Sequence, residues 1–134
     1  MGPQKKILLV EDDHDMQLMV IDLLEQEGYK TISAKDIKGA MKALESEKPA
    51  LVLLDLTLPD GDGFEICRLA TEGTTGTTPV PVIILSGKAS LECKIKSFMN
   101  GARRYFTKPF DVEELVEAIR SVLNNTRLSH SVPA

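Results

Sequence analysis

A chain of 134 residues has material for one domain with one full core and too little for two. A net formal charge of −4 argues against a surface built to hold nucleic acid, which carries a clustered basic excess. No apolar stretch reaches the length that spans a bilayer, and the acids that follow the first apolar run are unlike a signal peptide.

KILLV reads as a strand, and HDMQLMVIDLLEQEG as a helix with Met16, Met19, Val20, Leu23 and Leu24 on one face, closed by Gly28. YKTISA is a second strand. DIKGAMKALESEK repeats the helical spacing through Ile37, Ala40, Met41 and Leu44 until Pro49 stops it. LVLLDL is a third strand, LPDGDG a turn, and FEICRLA a short helix. The polar TEGTTGTTP at residues 71–79 reads as a surface loop. Gly and Thr can cradle phosphate where a strand feeds a helix, but this segment follows a helix and precedes a strand.

VPVIILS is a fourth strand, SLECKIKSFMNG a helix with Leu91, Ile95, Phe98 and Met99 on its apolar face, and RRYFT a short fifth strand. The last helix starts at Asp111, an N-cap with Glu114 completing a capping box, and runs through Val112, Leu115, Val116, Ile119 and Leu123. Beyond residue 124 there is no core pattern, so 1–124 form the domain and 125–134 a tail or the start of a linker. Strands alternating with helices predict an α/β three-layer sandwich built from right-handed βαβ units. Cys67 and Cys93 lie in apolar settings with no Cys or His at ligand spacing, and read as reduced thiols of the core or its boundary.

Four polar residues sit where apolar runs stop: Asp12, Asp55, Ser86 and Lys108. The carboxyl ends of parallel strands line one edge of a sheet, so these groups converge if the runs share a sheet. Two carboxylates, a hydroxyl and an ammonium would suit a divalent cation and a phosphoryl group. Each has a plainer alternative. Glu11, Asp12 and Asp13 are either solvated acids or hard oxygen ligands of the kind Mg²⁺ takes. Lys108 serves a phosphoryl group or a structural ion pair to Asp55 or Asp12. Ser86 caps the following helix or bonds a phosphoryl oxygen.

The motifs ILLVEDD, LLDLTLPDGDGFE, VIILSG and GARRYFTKPF, in that order over residues 5–124, resemble the receiver domain of two-component response regulators. The resemblance implies a flavodoxin-like fold whose five-stranded parallel sheet has the order 2-1-3-4-5. It implies Asp55 as phosphoacceptor, with Lys108 and Ser86 completing the catalytic set. Asp12 and Asp55 would ligate Mg²⁺, with Mn²⁺ as an alternative ion, Glu11 reaching the metal through water and Thr57 supplying its carbonyl. Ser86 and Tyr105 would form a switch pair, with Tyr105 turning from solvent to interior, and the Lys108-Pro109 bond would be cis. The implied donor is the phosphohistidine of a histidine kinase or histidine phosphotransfer protein. The implied output is a domain or partner met through the fourth helix, fifth strand and fifth helix.

Such a domain is a cytoplasmic signalling module that catalyses only its own phosphorylation and dephosphorylation. It is expected as a monomer or phosphorylation-dependent dimer, with no direct nucleic-acid or membrane contact. Arg103 and Arg104 stand where one DNA-binding subgroup carries acids for dimer salt bridges, and Lys88 stands near the path of attacking water. His14 opens the first helix and reads as a surface residue, and Asp13 as a bystander. Two other readings lack a required residue. A phosphatase of the haloacid-dehalogenase type needs an acid two residues after the nucleophile, where Thr57 stands. A flavodoxin-like cofactor module needs a Ser/Thr/Gly loop after the first strand, where EDDHDM repels phosphate.

Overall fold

The computed structural model describes residues 4–74 and 78–131. Five strands, β1 (Lys6–Val10), β2 (Lys30–Ala34), β3 (Leu51–Leu54), β4 (Val82–Ser86) and β5 (Arg104–Thr107), form one parallel sheet in the order β2-β1-β3-β4-β5. The helices are α1 (His14–Gln26), α2 (Ile37–Glu47), α3 (Phe64–Glu72), α4 (Leu91–Met99) and α5 (Val112–Ser131). The LPDGDG turn closes a small antiparallel hairpin, Thr57–Leu58 with Gly61–Asp62, outside the main sheet.

Alternation along each strand divides the core. Leu8, Val10, Val52, Leu54, Val82 and Ile84 face α2, α3 and α4, where Ala40, Leu44, Ile66, Cys67 and Cys93 meet them. Ile7, Leu9, Leu51, Leu53, Ile83 and Leu85 face α1 and α5, against Val20, Leu24, Leu115, Ile119 and Val122. With both faces covered, β1, β3 and β4 are continuous apolar runs, and that continuity makes them legible as buried strands.

The helix starts follow local capping chemistry. Asp13 caps α1 by accepting from the Asp15 and Met16 amides, Asp36 caps α2 through Gly39 N at 2.7 Å, and Ser90 caps α4 through Cys93 N at 3.2 Å. Asp111 Oδ1 accepts from the amides of Glu113 and Glu114 at 2.8 and 3.1 Å. Gly28, with φ +90°, follows α1, where a Cβ would be strained.

Several expectations change. Met19 and Met41, predicted to face inward, are 45% and 40% exposed, because Val20 and Leu24 in α1 and Ala40 and Leu44 in α2 fill the space over the sheet. The larger reversal is in α4. Leu91, Ile95, Phe98 and Met99 all point outward, while the small Cys93 and Ser97 face the sheet and let the helix approach closely. Ser97 is fully buried, and its hydroxyl is satisfied within the helix by donating to Cys93 O at 2.9 Å. Thr71 and Glu72, expected in a loop, finish α3, and residues 75–77 of that loop lie outside the described part. The backbone of α5 stays helical through Ser131, past the point where core spacing stops.

Gly63 supports the loop after β3 at close range: a Cβ there would lie 2.8 Å from the carbonyl oxygen of Asp55 and 3.1 Å from the Cα of Leu56. Backbone cannot move aside as a flexible side chain can. Gly63→Ala should therefore cost about 1–3 kcal/mol of stability in urea unfolding. Gly87→Ala, whose added methyl would meet nothing within 4 Å, should stay within about 0.5 kcal/mol. Equal values for the two variants would show that the loop relaxes freely around residue 63.

Candidate functional site

Parallel pairing brings the strand ends side by side. Val10 pairs with Leu54, Leu54 with Ile84, and Ser86 with Thr107, so the residues that follow these strands share one rim of the sheet. The backbone ladder continues into the site: Glu11 N donates to Ala34 O at 2.9 Å, Asp55 N to Val10 O at 2.9 Å, and Lys108 N to Ser86 O at 2.8 Å. The Lys108-Pro109 peptide is cis.

Glu11, Asp12 and Asp55 bring carboxylate oxygens within 4.8 Å of one another, and are the one acidic cluster of metal-ligating type among the described residues. Their environments differ. Glu11 is 1% exposed and Asp55 7%, whereas Asp12 is open to solvent. Lys108 Nζ contacts Glu11 Oε1 at 2.5 Å and Asp55 Oδ2 at 3.4 Å. Its partners are thus Glu11 and Asp55, of which only Asp55 was expected. Burial pushes the Glu11 carboxyl up to about 7, with Lys108 pulling the other way. Burial works to lower the Lys108 ammonium, but the Glu11 hydrogen bond and the Asp55 charge outweigh it and hold the group above the usual lysine value.

Backbone amides and side chains orient these acids. Asp55 Oδ1 accepts from Thr57 N at 3.1 Å, and Glu11 Oε2 from Asp13 N at 3.2 Å. Gln17 Nε2 donates to the Glu11 carbonyl at 2.6 Å. The Thr57 side chain is exposed.

Ser86 is fully buried at the end of β4 and accepts from Lys88 N at 3.1 Å, so it does not cap α4; Ser90 does. The Lys88 side chain is exposed, but its carbonyl accepts from the Tyr105 hydroxyl at 2.6 Å. That hydroxyl also lies 3.3 Å from Cys93 Sγ, and the half-buried ring packs against the α2-α3-α4 side of the core. Tyr105 therefore sits inward here, and burial raises its phenol above the usual value. The peptide of Lys88 links Ser86 to Tyr105.

Three contributors are absent from the sequence reading. Asp13, read as a bystander, is the α1 N-cap and lends its amide to Glu11. The acid followed by helical spacing was a signal for that cap. Asp60, read only as part of a turn, accepts from the first α2 amides, Ile37 N at 2.8 Å and Lys38 N at 3.2 Å, which ties the loop after Asp55 to α2. The Ile37 amide holds the Asp60 carboxyl below the ordinary aspartate value. No local signal could reveal a partner more than twenty residues away. Cys93 was read only as a reduced thiol of the core or its boundary, and its contact with Tyr105 depends on how α4 is turned.

Residues 7–120 match the family model described as the response regulator receiver domain. The chain is 38% identical over 122 residues to the DNA-binding dual master transcriptional regulator RpaA of Synechocystis, covering 90% of this chain and 50% of that protein. It thus spans about half the length of the curated relatives it matches. A CheY-like receiver domain protein from Methanospirillum hungatei superposes with a TM-score of 0.86 at 31% identity, covering 95% of this chain and 99% of that one. The receiver domain of the sensor histidine kinase PA1611 from Pseudomonas aeruginosa gives 0.80 at 26% identity, covering 91% and 99%, and was solved with a magnesium ion coordinated in its active-site cleft.

The Glu11 environment sets a pH dependence. Its folded value, about 7, lies above the ordinary 4.5, so between these values the native state holds the extra proton. Its contribution to stability is complete below about 4.5 and is lost as pH rises through 7. In chelator, the stability difference between the parent and Glu11→Gln should move against the parent by roughly 1–3 kcal/mol from about pH 5 to pH 8. A difference that does not change with pH would place Glu11 in a solvated setting.

Proposed function

The chain belongs to the response regulator receiver domain family, and on that premise we propose that it accepts a phosphoryl group on Asp55 and passes the event to an output domain or partner. The observation that carries this reading is Asp55 itself: a nearly buried carboxylate at the end of β3, 3.4 Å from Lys108 Nζ and within reach of two further carboxylates. The donor is the phosphohistidine of a histidine kinase or histidine phosphotransfer protein. An Asp55 oxygen attacks phosphorus, the P–N bond breaks, its electron pair leaves on the imidazole nitrogen, and an acyl phosphate remains.

Lys108 is held close to the nucleophile by Glu11, so its charge needs no reorganisation when negative charge gathers on the phosphoryl oxygens. The amide of Thr57 fixes the Asp55 carboxylate through Oδ1. Ser86, at the end of β4 on the same rim, hydrogen-bonds a phosphoryl oxygen. In doing so it lets go of the Lys88 amide, loosening the segment that also seats Tyr105.

The donor set fits Mg²⁺: three carboxylates face one ammonium, which leaves uncompensated negative charge on hard oxygens. Asp12, Asp55 and the Thr57 carbonyl would hold the ion, with Glu11 reaching it through water and Mn²⁺ as an alternative. When bound, the ion supplies charge neutralisation on the transferring phosphoryl group.

Catalysis of its own phosphorylation and dephosphorylation is the only enzymatic activity in this reading, since Thr57 offers no second acid for a phosphatase. Residues 1–124 are assigned to the receiver domain and 125–134 to a tail or linker start. No helix among the described residues is long and apolar enough to cross a membrane. A cytoplasmic location, and a monomer or phosphorylation-dependent dimer, complete the proposal.

With acetyl phosphate and Mg²⁺, the intact mass of the parent should rise by one phosphoryl group and that of Asp55→Asn should not. An unchanged phosphorylated fraction in the variant would remove Asp55 as the acceptor. A titration by calorimetry separates the neighbouring acids. Asp12→Ala should weaken Mg²⁺ binding about tenfold or more. Asp13→Ala should leave it within about twofold while losing about 1 kcal/mol of stability, because Asp13 caps α1. Equal losses of Mg²⁺ affinity would contradict Asp12 as the direct ligand.

A further inference from the structure

The three carboxylates of the rim cluster are not held alike. Asp55 is oriented by the Thr57 amide and Lys108, and Glu11 by Lys108 and the Asp13 amide. Asp12 has no such help. Among the described residues no hydrogen bond or ion pair reaches its exposed side chain, so its backbone alone keeps its carboxylate within 4.8 Å of the other two.

That backbone is held by one side chain. Gln17 lies in the first turn of α1, where its own amide donates to Asp13 O at 2.9 Å. From there Nε2 donates to Glu11 O at 2.6 Å and lies 3.4 Å from Ala34 O, the carbonyl that also accepts from Glu11 N at 2.9 Å. The Gln17 amide thus ties the Glu11-Asp12 peptide to the end of β2. Glu11 is buried and follows the last paired residue of β1, so its carbonyl needs a donor from outside the strand ladder.

We propose that Gln17 is a positioning residue for metal uptake: by fixing the Glu11-Asp12 peptide it keeps the Asp12 carboxylate in the cluster where Mg²⁺ would bind. The inference rests on the receiver reading, in which Asp12 ligates the ion, and adds a residue that touches neither metal nor phosphoryl group. Gln17 acts through Asp12 and not through the Glu11 carboxylate, which has two holders of its own.

Gln17 borders an open cleft of about 330 Å³ with Ser33, Lys35, Asp36 and Gly39. A short side chain there would let water replace the lost donor. The variant of choice is therefore Gln17→Met, which keeps the length and helix preference at a half-buried position and removes the N–H. Nuclear magnetic resonance on the isotope-labelled whole chain supplies two readouts. In chelator, the Glu11 carbonyl carbon resonance should move upfield in the variant, a signature that needs no metal. On titration with MgCl₂, the variant should bind the ion about fivefold more weakly than the parent, the effect of one hydrogen bond to a carbonyl. In an Asp12→Ala background the same substitution should cause no further loss, whereas general damage to the fold would carry over. An affinity equal to the parent's, a further loss on top of Asp12→Ala, or a Glu11 resonance that stays in place would each overturn the inference and leave the receiver reading standing. A parent that takes up no Mg²⁺ would overturn both the metal reading and this inference.

Discussion

Glu11 and Asp55 are two carboxylates withdrawn from water at the rim of the sheet, with the ammonium of Lys108 placed between them. One cation can balance only one of them, and Asp12 adds a third acid to the cluster. In a partly dry setting that imbalance is costly, and the molecule relieves it by keeping a proton on Glu11 up to about 7; a divalent cation bound there would relieve it as well. Nothing local would assemble such a group. β1 and β3 are adjacent and parallel because their apolar runs are covered on both faces, and this packing forces their trailing acids together.

The surroundings of the cluster follow from this constraint. The Asp13 and Thr57 amides spend their donors on Glu11 and Asp55, so each acid is oriented by backbone as well as by Lys108. The loop after Asp55 is pinned at the tip of its hairpin by Asp60 on the α2 amides and just after the hairpin by the close approach at Gly63. Charge placed at this rim meets a stiff frame. Beyond Ser86, one peptide, that of Lys88, links the buried hydroxyl to the Tyr105 ring and, through the ring, to Lys94 on α4. A contiguous run of contacts therefore joins the acidic cluster to the exposed face of α4.

The strand order expected from the family resemblance matches the observed sheet, and the five strands were legible because buried parallel strands need unbroken apolar runs. The same runs marked where Asp55, Ser86 and Lys108 would emerge. Other features were not readable in this way. In α4 the apolar residues recur at helical spacing, yet the small Cys93 and Ser97 are the ones that face the sheet. The backbone of α5 continues past residue 124, where the core spacing ends, because helical hydrogen bonds need no buried face to propagate.

What the sequence determined by itself was periodicity and termination: which stretches are strands or helices, and which polar residues stand at their ends. These depend on nearest neighbours along the chain, so they can be read without a fold. Only the tertiary structure decided that Lys108 pairs with Glu11 as well as Asp55, that Asp60 caps a helix more than twenty residues upstream, that Tyr105 sits inward on Lys88 and Cys93, and that the α4 stripe faces outward. An apolar stripe or a charged side chain carries its own chemistry in the sequence, but the partner it meets is set by how the layers pack across the sheet.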